Sequence, residues 1–263
     1  MLIAVVAGVA LLLGAVWLFQ RKLIYLPDNS PVPSAAEALP GAVDVQLRTS
    51  DGLTLGAWLV PPRQAGSYSV VIVAGGNGGN RAGRVSTAKA LADAGMGVLL
   101  FDYRGYGGNP GSPSEDGLAL DARAAYRFVH EELQVPPEQM IYYGESLGSA
   151  VVTELATEHP PGGMLLRSPF VDLASAGQDA YPFLPVRLLL RDTFPVEEMI
   201  SRVKVPITVV LGTEDSIVDP EQSRQVAQAG SAKLVEVQGA DHNDPVLFDG
   251  PQVIDAVQDL ASR

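Results

Sequence analysis

The chain has 263 residues, 47% of them apolar, a formal net charge of −12 and no cysteine. That length and apolar content suit one large α/β domain better than two small ones. The acidic balance excludes a basic nucleic-acid face, and the missing cysteine excludes disulfides, thiolate catalysis and thiolate metal sites. No pair among His130, His159 and His242 has metal-ligand spacing, so neither a metal nor another cofactor is expected.

Leu2 to Phe19 carries only apolar residues and glycine, at the short end of what spans a bilayer as a helix. A core helix would show a polar face. A cleavable signal would begin with basic residues and end soon at a small-residue site. Here nothing basic precedes the run, which passes directly into Trp17-Leu18-Phe19-Gln20-Arg21-Lys22. The nearest small-residue site, Ala36-Glu37-Ala38, lies well downstream. The reading is an uncleaved transmembrane anchor over residues 1–22. Arg21 and Lys22 on its far side put the rest of the chain in the cytoplasm by the positive-inside rule; an exported, periplasmic domain is the alternative. Residues 23–41, rich in Pro, Ala and Ser, read as a linker to a domain over 42–263.

Val43 to Arg48 alternates apolar and polar residues, as a half-exposed strand does, and Asp51-Gly52 turns it into a returning strand, Leu53 to Val60. The pattern then changes to a short, continuous apolar run at Ser69–Ala74, a second buried strand at Gly97–Asp102, and further strands at Met140–Tyr143, Met164–Ser168, Ile207–Gly212 and Lys233–Val237. Helical stretches separate them at about 81–94, 114–133, 149–156, 221–229 and 251–261. Strands buried on both faces, alternating with helices, predict a mostly parallel sheet covered on both sides. The alternation lapses at about 171–204, where Tyr181, Phe183 and Leu184 stand in an apolar, proline-interrupted stretch. This is either an ordinary connection with one helix or a small cap that supplies an apolar acyl pocket through those three residues.

Gly144-Glu145-Ser146-Leu147-Gly148 stands between a strand-like and a helix-like run. G-x-S-x-G in that setting is a nucleophile elbow, which lifts the serine above the sheet on a strained turn. A serine hydroxyl needs a base, a carboxylate that orients the base, and donors for an oxyanion. In this topology the acid and then the histidine follow the serine along the chain, each beyond a strand end. His242, just after the last strand, is the candidate base; His130 and His159 fall in helical surroundings and read as surface or capping residues. Asp215, in the turn beyond Ile207–Gly212, is the candidate acid, with Glu214 and Asp219 as alternatives. Asp241 and Asp244 flank the histidine and read as solvated charges. The backbone N–H of Leu147 is one oxyanion donor. Asn77, in the loop Gly75-Gly76-Asn77-Gly78-Gly79-Asn80, supplies the other through its backbone; that loop matches neither phosphate-binding glycine pattern.

These segments resemble the α/β-hydrolase family, and within it the membrane-anchored subgroup of protein depalmitoylases, lysophospholipid lipases and bacterial members. The resemblance spans nearly the whole chain and includes Gln20–Pro27, Asp102-Tyr103-Arg104-Gly105-Tyr106-Gly107, Leu184-Pro185-Val186-Arg187 and Gly239–Asp244. It implies an α/β-hydrolase fold and a Ser146–His242–Asp215 triad acting on the acyl ester or thioester of a small molecule, lipid or acylated protein. A serine peptidase of the same fold and a non-catalytic scaffold held at the membrane are the other readings. One departure stands out: Gly75 replaces the histidine that usually precedes the oxyanion residue, so the loop is expected to be held less tightly.

Overall fold

In a computed structural model, which describes residues 1–63 and 69–263, eight strands form the central sheet. They are β1 (Val43–Arg48), β2 (Thr54–Val60), β3 (Val70–Ala74), β4 (Gly97–Phe101), β5 (Met140–Glu145), β6 (Gly163–Arg167), β7 (Ile207–Gly212) and β8 (Lys233–Val237). Their order across the sheet is β8-β7-β6-β5-β3-β4-β2-β1. Strands β3 to β8 run parallel to one another, whereas β2 runs antiparallel to both β1 and β4.

Every residue of β3 to β7 is buried, so alternate residues feed two separate cores. Ile72, Leu99, Tyr142, Leu166 and Val209 face one layer, with helices 115–127, 147–158 and 220–229. Val73, Leu100, Ile141, Leu165 and Val210 face the other, with helices 85–93 and 251–261. Fully burying one such aliphatic side chain contributes about 1.5–3 kcal/mol. These strands therefore have no polar face to display, which is why their sequences run continuously apolar. β3 connects towards β4, and β5 connects towards β6. The two diverging connections leave a crevice at the carboxyl ends of β3 and β5, the place where open α/β sheets bind ligands.

Three features depart from the sequence reading. Residues 23–41 are built into the domain rather than forming a linker. Leu26-Pro27 pairs with Gly78-Gly79, Tyr25, Ala35 and Leu39 are buried, and Glu37 caps a short helix by accepting from Ser34 N–H. The prolines and serines there stiffen and cap a packed segment. The N-terminal helix continues to Ile24 as one 23-residue unit. Its most apolar window has a mean hydropathy of 2.7 with no residue buried in the domain, so it is not a core helix; at 1.5 Å per residue it is long enough to cross ~30 Å of hydrocarbon. Finally, the cap-like part of the insertion ends near 190. It holds helices Leu173–Ala180 and Val186–Leu189. Beyond it, Phe194, Val196, Ile200 and Val203 are buried in the main core, and the helix Val196–Ile200 belongs there.

Candidate active site

Ser146 follows β5 directly, with φ 50° and ψ −111°. A positive φ in a non-glycine residue is strained and persists only where the surroundings impose it. Here Ser146 N–H donates to Arg167 O at 2.8 Å and its carbonyl accepts from Ser149 N–H at 2.9 Å. The flanking glycines make the turn possible: a Cβ at Gly144 would come within 2.5 Å of Ser149 Cα, and one at Gly148 would overlap the Ala74 carbonyl. Ser146 Oγ makes no hydrogen bond among the described residues.

His242 is 5% exposed and its Nδ1 lies 2.7 Å from Asp215 Oδ2. Asp215 Oδ1 accepts from the N–H groups of Ile217 (3.0 Å) and Val218 (2.8 Å). Burial pushes the Asp215 carboxyl up, but the histidine and the two backbone donors outweigh it and hold it below the usual carboxylate range. An ionised Asp215 fixes the proton on Nδ1, which donates to it and leaves Nε2 free to accept. Of the three acidic candidates, only Asp215 meets the histidine. Glu214 and Asp219 are exposed, and Asp219 instead caps helix 220–229 by accepting from Glu221 N–H. His130 and His159 stack on Tyr126, with ring centroids 5.3 and 4.2 Å away. Asp241 and Asp244 stay partly exposed and also tie the loop: Asp241 accepts from His242 N–H and from Ser216, and Asp244 accepts from Asp241 N–H.

Neither the Leu147 nor the Asn77 backbone N–H has a partner among the described residues, and both residues line one cavity with Ser146. The loop carrying Asn77 is clamped, contrary to the expectation from Gly75. Tyr103 donates to Gly75 O at 2.9 Å, Tyr106 donates to Asn77 O at 2.7 Å, and Arg84 donates to Gly78 O and Asn80 O. A Cβ at Gly75 would stand 3.3 Å from Arg84 Nε. The guanidinium thus occupies the space beside this glycine and ties the loop from there.

Arg84 also forks onto Glu145 through Nε (3.1 Å) and Nη2 (2.8 Å). Arg167 Nη2 approaches the same carboxylate at 2.9 Å, out of line for a hydrogen bond and so as an ion pair. Arg167 is fully buried, lies over the Phe248 ring and donates through Nη1 to His242 O at 2.6 Å. Burial opposes ionisation of Glu145, yet the two arginines hold its carboxyl below the usual range. This cluster under the serine and histidine was missed in the sequence. The available signal was a charged residue, Arg167, at the end of a strand buried on both faces, where a charge needs a partner.

The cavity has a volume of about 330 Å³ and an almost wholly apolar wall. Tyr181 and Leu184 line it, as expected for an acyl pocket. Phe183 does not: it is 80% exposed and meets Tyr181 edge-on from outside. Val16, Gln20, Leu23 and Ile24 of the N-terminal helix form part of the wall, which the sequence did not reveal. No cluster of metal-ligating side chains occurs among the described residues.

The family described as serine aminopeptidase S33 matches residues 67–196. The uncharacterized protein Rv2307c of Mycobacterium tuberculosis is 48% identical over 260 residues, covering 97% of this chain and 92% of that one. The α/β hydrolase domain-containing protein WAV2 of Arabidopsis thaliana is 26% identical over 94% of this chain and 87% of its own. Among solved structures, the Pyrococcus furiosus esterase Pf2001 superposes with a TM-score of 0.74 at 18% identity, over 91% of this chain and 97% of the esterase.

Proposed function

The chain belongs to the α/β-hydrolase family, and from that premise we propose that it is a membrane-tethered serine hydrolase of acyl esters or thioesters. The observation that carries the reading is the His242 Nδ1–Asp215 Oδ2 bond of 2.7 Å, beside a serine raised on a strained elbow into an apolar cavity between two unpartnered backbone N–H groups. His242 Nε2 takes the Ser146 proton as Oγ bonds to the acyl carbon. The carbonyl electron pair moves onto oxygen, held by Leu147 and Asn77 N–H. Collapse breaks the C–O or C–S bond, and His242 gives its proton to the leaving group. Water, deprotonated by His242, then attacks the acyl-enzyme; the acid leaves and Ser146 recovers its proton. Asp215 holds the tautomer and stabilises the imidazolium.

A fluorophosphonate probe labels the wild type and not Ser146→Ala; equal labelling of both would sink the reading. The description serine aminopeptidase supplies a second reading. A free amino terminus calls for an acidic partner, however, and the cavity wall contains no charged side chain. Comparing p-nitrophenyl acyl esters with aminoacyl anilides separates the two. The N-terminal helix serves as a single uncleaved span, and Arg21 and Lys22 at its domain end support a cytoplasmic domain. Protease access to the domain in intact cells tests that side, and degradation from outside would reverse it.

A further inference from the structure

The N-terminal helix does more than a tether requires. Gln20, one of its last residues, is 4% exposed. Its amide donates to Leu189 O at 2.8 Å and accepts from Arg191 N–H at 2.8 Å, satisfying two backbone groups of the cap. Arg21 forks onto Asp192 at 2.9 and 2.8 Å, and Tyr25 donates to the same carboxylate at 3.0 Å. Arg191 lies over the Trp17 ring at 5.3 Å. On the other side, Asn77 Nδ2 donates to Ile24 O at 2.9 Å, joining the end of the helix to the candidate oxyanion loop. The helix is thus fastened to both sides of the cavity.

Val16, Gln20, Leu23 and Ile24 recur at helical spacing on one face, and that face lines the cavity. Val16 lies eight residues before Ile24, about 12 Å along the helix axis. The cavity therefore extends from the Ser146 side along the helix towards its apolar end. We infer that Val16 of the N-terminal helix forms the distal wall of the acyl site and sets the length of chain that the enzyme accepts. This rests on Ser146 being the nucleophile of acyl hydrolysis. A cavity of about 330 Å³ far exceeds the space that one water needs and has room for a chain of several methylenes. Leu23, Tyr181 and Ile217 line the cavity yet are 58%, 48% and 55% exposed. The mouth is therefore apolar and adjoins the helix that enters the bilayer.

The test uses the full chain in detergent micelles with p-nitrophenyl esters from acetyl to hexadecanoyl. In Val16→Trp the indole fills the distal end, and the ratio of kcat/KM for the dodecanoyl ester to that for the acetyl ester falls about tenfold or more, as expected when a pocket loses room for methylenes. Val9→Trp adds the same bulk to an exposed position of the helix outside the cavity and leaves the ratio unchanged. An unchanged ratio in Val16→Trp, or an equal fall in Val9→Trp, overturns the inference while ester hydrolysis itself stands. Absence of hydrolysis by the wild type at every chain length overturns both this inference and the reading it rests on.

Discussion

The floor and the roof of the cavity are built in opposite ways. The floor is the carboxyl edge of the sheet: an elbow whose glycines leave no room for a Cβ, a loop clamped by two tyrosines and an arginine, and Arg84–Glu145–Arg167 buried beneath it. The roof consists of two short helices of the cap and the last turns of the N-terminal helix, with apolar side chains open to the surroundings and polar ties at the edges. Preorganised charge stabilisation needs atoms held within tenths of an ångström, whereas an apolar chain needs only volume and dryness. Damage to the floor is therefore predicted to act on kcat for every substrate, and damage to the roof to act on substrate length.

The largest expected effect on that contrast comes from Asp215. In Asp215→Asn the ring tautomer is no longer fixed, and kcat falls by about 10⁴ for short and long esters alike. Asp219→Asn, which touches only a helix cap, stays within about twofold. Comparable losses in the two variants would mean that the acid is misassigned. Next comes Arg84→Met. It frees the loop carbonyls of Gly78 and Asn80 and leaves Glu145 paired with Arg167 alone. If Asn77 is a true oxyanion donor, kcat falls by about 10²-fold with KM little changed, approaching the loss of one oxyanion donor. Breaking the buried pair also costs about 3–5 kcal/mol of stability, which thermal unfolding reports separately. A stability loss with normal kcat in the surviving folded fraction would make Arg84 a purely structural residue.

The floor was legible in the sequence to the extent that its chemistry is local. Gly144 to Gly148 needs those glycines within five residues, and the positions of His242 and Asp215 follow from where β8 and β7 end. What the sequence hid is set by tertiary contact. Arg84 fills the space beside Gly75 from a segment nine residues away, so the missing family histidine did not loosen the loop. Glu145 sits at the unconstrained position of G-x-S-x-G and acquires a role only because Arg84 and Arg167 converge on it. Residues 23–41 had a linker's composition but gained a fixed place by pairing with Gly78-Gly79. Hydrophobicity alone places Phe183 in the pocket, but it does not report which way a loop side chain points.

A smaller effect is expected from loosening the roof. Asp192 is 3% exposed and accepts from both Arg21 and Tyr25. In Asp192→Ala those donors lose their shared acceptor, at a cost of about 1–3 kcal/mol, and the helix is held to the cap more loosely, by the Gln20 bonds and the Arg191–Trp17 contact. The kcat/KM for dodecanoyl esters falls severalfold more than that for acetyl esters. A uniform loss across chain lengths would instead tie the helix to the floor, through the Asn77–Ile24 bond, and would blur the contrast.

The smallest effect is a pH dependence of stability that belongs to the floor alone. The Asp215 carboxyl lies below its ordinary value in the fold because His242 and two backbone N–H groups outweigh its burial. Its unfolded value is about 3.9. A depressed carboxyl contributes stability that is complete above the unfolded value and is lost as pH falls through the lower, folded one. Asp102 and Asp121 act in the opposite sense, since burial raises both carboxyls despite their arginines, and their ionisation weakens the fold as pH rises. Total acid stability therefore mixes the two signs, and the informative quantity is the difference between wild type and Asp215→Asn. The Tm gap is full at pH 6 and narrows by a few degrees between pH 4 and pH 3. A gap that stays constant through that range would mean Asp215 gains nothing from ionisation in the fold, and the His242 tautomer would then have to be fixed by something other than the carboxylate charge.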